Sequence, residues 1–187
     1  TQQQKIISGS SDYKIKANLK PDFSGTATIS IDLKGLNIDI PQFDWTKPAN
    51  SDGWAKITVR LSDNGLVRLT GASVAGKGFK FLGKFKIKSP DIFSVHSDTI
   101  KFGRNQLSGS FKKNREEATI ELNGDSLSLV NILEEKKSDT KNFVRQNPIK
   151  ISVKDIKKLE ITPGNFLNNV KAELEHDGLV WKSVEVE

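Results

Sequence analysis

Apolar and polar residues alternate along most of this chain, and the densest run of alternation lies between Gly78 and Leu133. Phe79, Phe81, Phe85 and Ile87 fall opposite Lys80, Lys84, Lys86 and Lys88; Ile100 and Phe102 come after them, then Leu107 and Phe111, then Ala118, Ile120 and Leu122 opposite Thr119, Glu121 and Asn123. A period of two is the period of a strand with one apolar side, and each segment pauses at a glycine or a polar turn before the next begins. The stretch therefore predicts a meander. Its last part changes period: Leu129, Ile132 and Leu133 stand at helical spacing behind Asp125 and Ser126 as N-caps, which predicts one short helical turn.

The remainder reads in the same way. Residues 1–12 are polar and rich in serine and glycine, and are expected to be a connector. Tyr13 to Lys20 alternates up to Pro21-Asp-Phe-Ser-Gly25, where a fixed proline angle and a permissive glycine predict a turn. Ala27, Ile29, Ile31 and Leu33 share one side of the next segment, and Leu36, Ile38 and Ile40 resume the pattern up to Pro41. Pro41 to Gly53 reads as a loop, with Trp45 placed to plug one end of the core. Ile57, Val59 and Leu61 then oppose Lys56, Thr58 and Arg60, and Asp63-Asn64-Gly65 is a hairpin signal because Asn and Gly both tolerate positive φ.

Residues 134–147 are charged and aperiodic, and are expected to be a solvated excursion. Ile149, Ile151 and Val153 return to alternation, then come Leu159 and Ile161, a turn at Pro163-Gly164-Asn165, and Val170, Ala172 and Leu174 opposite Lys171, Glu173 and Glu175. Phe166 to Val170 reads as strand in preference to a helical turn. Asp177-Gly178 turns the chain into a last strand carrying Trp181, Val184 and Val186. The sum is an all-β chain of about a dozen strands, mostly antiparallel, in one long curved sheet spanning 13–187.

Glycine spacing bears on that curvature. Leu33-Lys-Gly35, Leu69-Thr-Gly71, Leu107-Ser-Gly109 and Leu122-Asn-Gly124 all read Leu-x-Gly, with Leu82-Gly83 as an imperfect relative. Within a strand, residues two apart share a face, so a large side chain would sit beside bare backbone at a bend or bulge; otherwise the glycines merely end strands.

Composition narrows the class. The 187 residues are 35% hydrophobic and 28% charged, sufficient for a folded body with little apolar surplus. No apolar run of about 18 residues is present, and no basic-then-apolar start. The chain begins at Thr1, contains no Met and ends at Glu187 inside an alternating pattern, so it is expected to be a piece of something longer that continues at both ends. With no Cys there is neither a disulfide framework nor a thiolate metal site. The net charge of +6 invites an anionic partner, but the lysines mostly occupy the polar phase of strands, where a solvated face that discourages edge pairing accounts for them too.

Catalytic chemistry finds little support. His96 and His176 are the only histidines and have no spaced metal-ligand partners; Asp91, Asp98, Glu116 and Glu117 sit at turns, where carboxylates cap backbone amides. No enzyme, cofactor or metal site is expected. Lys77-Gly78-Phe79-Lys80-Phe81 overlaps the signature of an RNA-recognition motif, yet Lys80 holds its small position and the two helices such a motif needs have no candidates. No specific nucleic-acid partner is expected.

Two stretches carry a resemblance. Phe102-Gly-Arg-Asn-Gln-Leu-Ser-Gly-Ser-Phe111 and Ala118-Thr-Ile-Glu-Leu-Asn-Gly-Asp-Ser-Leu-Ser-Leu-Val-Asn-Ile-Leu133 resemble the recurring segment of AsmA-like envelope proteins, in particular the YhdP-type branch. In that pattern a Gly-Arg-Thr/Asn stretch precedes a strand, a Leu-x-Gly and a short Leu-rich turn usually opened by Leu-Asp; here Leu127-Ser128 stands in that place. From Ile149 through Trp181 the chain is similar to the next segment of such proteins, so the resemblance covers roughly Trp54 to Glu187. It implies a taco-like β-groove, part of a periplasmic bridge that conducts phospholipid between the inner and outer membranes of a Gram-negative-type cell. It further implies an anchor in the inner membrane and contact with both membranes through parts of the protein outside this segment. The groove-lining candidates are Ile29 and Ile31; Ile57 and Val59; Phe79, Phe81 and Phe85; Phe111; Ile120 and Leu122; and Ile151 and Val153. A β-rich interaction or scaffold module, a sandwich that buries the same side chains without binding lipid, shows the same alternation and stays open.

Overall fold

Period-two patterning becomes strands because it gives each segment one apolar edge to lay beside its neighbour's. A computed structural model of the protein describes residues 6–41, 45–89, 91–130, 147–177 and 180–186. In chain order the strands are β1 (Ile7–Gly9), β2 (Tyr13–Leu19), β3 (Gly25–Asp32), β4 (Leu36–Ile40), β5 (Trp45–Lys47), β6 (Gly53–Leu61), β7 (Val67–Gly76) and β8 (Phe79–Ser89). They continue as β9 (Ile92–Phe102), β10 (Asn105–Lys113), β11 (Ala118–Ser128), β12 (Ile149–Thr162), β13 (Asn165–His176) and β14 (Trp181–Val186). Eleven of them form one sheet in the order β14-β13-β12-β11-β10-β9-β8-β7-β6-β3-β2, and β1, β4 and β5 form a small second one.

The large sheet is antiparallel throughout except where β11 runs parallel to β12. It does not close, since β2 and β14 are its two edges. Among the described residues the three strands outside this sheet form only the small second one, and the twelve candidate lining side chains are half-buried.

Three of the Leu-x-Gly glycines, Gly71 in β7, Gly109 in β10 and Gly124 in β11, lie inside strands, as does their imperfect relative Gly83 in β8. Gly35 sits in a turn instead. Register shifts accompany the four, at Thr58/Val59 across from Gly71, at Leu82/Gly83, at Leu107/Gly109, and at Gln106/Leu107 across from Gly124. Each shift is a bulge, and a bulge bends its strand and raises the local twist. Glycine is required at Gly124, where a Cβ would lie 2.4 Å from the carbonyl oxygen of Gln106; at Gly83 a Cβ would lie 2.4 Å from Cζ of Phe81, the tip of a ring that can turn aside.

The small sheet covers one end. Trp45, expected as a plug in a loop, instead belongs to β5; it is buried, its ring centroid lies 4.8 Å from that of Phe79, and its Nε1 donates to the Lys77 carbonyl at 3.4 Å. Beside it Lys47 is only 1% exposed, its ammonium donating to the carbonyls of Leu36 at 2.9 Å and Pro48 at 3.3 Å. The expected loop 41–53 thus holds a strand, and the expected connector 1–12 contributes β1, which pairs with β4. A second correction concerns Asp125 and Ser126. They do not cap a helix, because β11 runs through to Ser128, with Asp125 bridged to Lys157 at 2.7 Å and the Ser126 hydroxyl donating to the Arg104 carbonyl at 2.6 Å. The rest of the expected helical turn, Ile132 and Leu133, and nearly all of the charged excursion lie outside the described residues.

Candidate functional site

The strand registers line the apolar side chains up in rows that cross the sheet. Ile31 on β3 faces Ala55 on β6, which faces Val74 on β7, then Phe81 on β8 and Ile100 on β9. Ile100 faces Leu107 on β10, and the row continues through Gly124 to Ile156 and Val170. A second row runs Ile15, Ile29, Ile57, Ala72, Gly83, Ser97, Gly109, and on to Leu122, Val153 and Ala172. A third joins Phe85 to Val95, Phe111, Ile120, Ile151 and Leu174. All twelve candidates therefore share one face of the large sheet.

They do not all occupy equivalent places. Phe79 lies at the end covered by Trp45 and also approaches Phe102, ring centroids 6.4 Å apart. Phe81 and Phe85 flank Gly83 with their rings 6.4 Å apart, and Phe111 pairs with Phe93 at 5.4 Å. Every one of the twelve is half-buried: flanked by neighbours on the sheet, yet in reach of a guest. Full burial occurs beside them, where Leu107, Leu127 and Ile156 pack together with Leu129, Leu159, Val153 and Ile100 against them. This cluster sits toward the same strand ends as Trp45, so the trough is floored most deeply there.

Sequence reasoning missed Val74, Val95, Ile100 and Leu174, which belong to the same face. Val95 and Ile100 are five apart, an odd spacing for two residues on one side of a strand. The bulge between them absorbs the extra residue, and the buried Ser97 at that point has its Oγ within 2.7 Å of the Leu82 carbonyl and 2.9 Å of the Thr99 carbonyl. The signal was present as two alternating halves out of phase.

Polar groups close the covered end. Gly103, at φ 54°, turns the chain into Arg104 and Asn105. The 1%-exposed Asn105 accepts the Ser128 amide at 2.7 Å on Oδ1 and donates from Nδ2 to the Phe102 carbonyl at 3.3 Å. Arg104 Nη1 reaches both carboxylate oxygens of the buried Glu160 at 3.3 Å. The Gly164 amide, donating at 3.1 Å, holds the Glu160 carboxyl below its ordinary range, with the Ser128 hydroxyl and Arg104 adding to it against the opposing effect of burial. The Gly-Arg-Asn stretch thus ties the start of β10 to the ends of β11 and β12. On the outer face the Ser152 hydroxyl and then Lys154 lower the Glu173 carboxyl in the same sense.

At the other end the face carries two nitrogen-bearing side chains. Lys113 stands between Phe93 and Ala118, and His176 faces Ile149. His96, 3.0 Å from Asp98, is on the outer face and exposed. Among the described residues no group of three or more His, Cys, Asp or Glu is placed to hold a metal ion, and no helix is long and apolar enough to cross a membrane. The geometry offers, chemically, a wide apolar contact surface with a cation at one mouth. Comparison with protein-family models, with curated proteins and with solved structures found no match to this chain.

Proposed function

We propose that this chain is a non-enzymatic segment that holds phospholipid acyl chains along the apolar face of its large sheet, passing them between the two membranes of a Gram-negative-type envelope. The observation that carries the reading is the open eleven-stranded sheet: rows of apolar side chains cross it from β2 to β13, and the twelve candidate lining residues on that face are half-buried, not sealed. Leaving such a face in water is costly, and an acyl chain is the kind of guest that relieves the cost without directional bonds. At about 0.8 kcal/mol per buried methylene, a sixteen-carbon tail gains roughly 12 kcal/mol gross before its own ordering is subtracted.

The likeness of the Phe102-to-Phe111 and Ala118-to-Leu133 stretches to AsmA-like, YhdP-type proteins supports the same reading, as does the placement of Lys113 at the uncovered end, where a head group stays wet. The test is lipid content. The protein extracted under native conditions is expected to carry phospholipid by mass spectrometry, and a Phe81→Asp/Phe111→Asp variant that still folds is expected to carry none. Equal lipid in both proteins overturns the proposal, and absence of lipid from the unsubstituted protein returns the face to the scaffold reading.

A further inference from the structure

The side of the large sheet turned away from the apolar rows is chemically uneven. Across β6 to β10 it presents Lys56 and Arg60, Arg68, the four lysines of β8, Lys101 and Lys112, all exposed. The one carboxylate in those five strands is Asp98, which is engaged by His96. None of these nine cations lies within ion-pair distance of a carboxylate among the described residues. The other half of the same side is balanced: Lys150 pairs with Glu117, Lys154 with Glu173 and Lys157 with Asp125.

Solubility alone does not account for the arrangement. Lys80 stands directly across from Lys101, and Arg60 directly across from Arg68. Like charges facing each other across a ladder oppose folding, so a face built only for solvation would interleave signs as the β11–β13 half does. Two large apolar side chains stand among the cations, Trp54 at 50% exposed and Leu82 at 46%. A broad field of one sign concentrates an opposite surface.

We infer that the outer face of β6–β10 docks on an anionic phospholipid surface, with the lysines against the phosphates and Trp54 and Leu82 at the head-group level. A single-stranded nucleic acid would require several aromatic rings interleaved with the cations, and Trp54 is the one ring on this side of β6–β10, since Phe79, Phe81 and Phe85 point to the opposite side. The cations are spread over five strands with two exposed apolar side chains among them, a combination that suits a head-group layer. The inference is independent of what occupies the trough.

Co-sedimentation of the whole chain with vesicles tests it. Binding is expected to vesicles of phosphatidylcholine mixed with phosphatidylglycerol, to be weak on phosphatidylcholine alone, and to fall as salt shortens the Debye length from about 10 Å at 0.1 M. Each basic side chain at the surface is worth about fivefold in partitioning, so Lys80→Gln/Lys84→Gln/Lys86→Gln is expected to lose about a hundredfold. The charge-matched Lys150→Gln/Lys154→Gln/Lys157→Gln variant is expected to lose little, and arginine in place of the three β8 lysines to retain binding. The Phe81→Asp/Phe111→Asp variant, whose trough is spoiled, is expected to bind the vesicles as before, which separates failure of this inference from failure of the transport proposal. Equal losses in the two lysine triples, or an unsubstituted protein that ignores anionic vesicles while binding a polyanionic peptide or nucleic acid, would falsify it.

Discussion

If the apolar face has no layer over it, shortening a side chain on it should cost less than shortening one in the covered cluster. Ile156 is 0% exposed and sits against Leu107 and Leu127. Its replacement by Ala removes buried carbons and leaves a void that its neighbours cannot fill, which places the loss in the middle of the usual range for such changes, about 3–4 kcal/mol. Phe111 is larger, and in a closed sandwich its truncation would cost about 3–5 kcal/mol. Here its ring is half-buried, packed beside Phe93 and in register with Val95 and Ile120, so the space it vacates is not sealed. With part of the ring in water and no sealed cavity, Phe111→Ala is expected to cost about 2–3 kcal/mol. Urea unfolding of delipidated protein measures both, with an unchanged slope showing that the same transition is compared. Delipidation matters because a ligand bound only to the folded state adds its own stabilisation. A Phe111→Ala loss equal to or greater than that of Ile156→Ala means that something packs over the ring, and the open-face reasoning is then wrong.

Other consequences are as direct. Gly71→Ala is expected to be neutral or slightly stabilising, since the new Cβ meets only the Gly83 carbonyl oxygen at 3.6 Å, whereas Gly124→Ala pushes a Cβ to 2.8 Å from Leu107 Cα and is expected to cost about 1–3 kcal/mol; thermal melts compare the two. Because the Glu160 carboxyl titrates below its ordinary range in the folded protein, its contribution is present above that range and is lost as pH falls through the lowered value. Glu160→Gln is therefore expected to flatten the acid side of the stability profile, leaving the parts due to Asp22 and Glu173, which are lowered as well; an identical acid limb in the variant refutes the assignment. Lys113→Glu is expected to shift bound lipid away from anionic head groups with little change in total lipid, read by mass spectrometry of extracted protein; an unchanged head-group profile removes Lys113 from the mouth.

The strands were legible in the sequence and their phase only in part. Ile29 and Ile31, Ile57 and Val59, or Phe79 and Phe81 are two apart, and two-residue spacing survives intact within a bulge-free stretch. A bulge inserts one residue and flips the parity of everything after it, so Val95 could not be joined to Ile100, nor Val153 to Ile156, by counting. Three of the Leu-x-Gly glycines and their imperfect relative Gly83 marked such places, as reading them for bends expected; Gly35 did not, because it ends a turn. β5 escaped notice for a different reason. Three residues between prolines, Trp45-Thr-Lys47, have no visible period, and Lys47 is buried against backbone carbonyls where a lysine would be assigned to solvent. Asp125 and Ser126 looked like N-caps because both residue types also serve at strand ends; cross-strand partners in Lys157 and Arg104, invisible in a single sequence, kept them extended. The outer face shows the limit most clearly, since a lysine's strand phase is readable but its neighbour across the ladder is not.

The glycines also bear on how a guest would move. In the middle row Gly83 and Gly109 stand either side of Ser97, and large neighbours lie over them: Phe81 reaches across Gly83, and Leu122 Cδ2 comes within 3.2 Å of where a Cβ at Gly109 would be. Leu107 lies over Gly124 in the same manner, with Cδ2 at 3.0 Å from that Cβ position. Side chains laid down over bare backbone level the face, where upright ones would form ridges between the rows. Ser97, the hydroxyl in that row, is turned onto backbone carbonyls and presents no polar anchor. A tail on such a surface meets contacts of similar strength at each strand, each about 0.1–0.2 kcal/mol per atom pair, and none with an angular preference. Displacement by one strand spacing of about 4.8 Å exchanges one set for its equivalent, so the barrier to sliding stays far below the total held. Adding bulk at Gly83 therefore separates holding from sliding: Gly83→Leu should retain lipid in extracted protein while slowing its exchange between donor and acceptor vesicles, and an exchange rate unchanged from the unsubstituted protein would mean that the levelled floor has no part in movement.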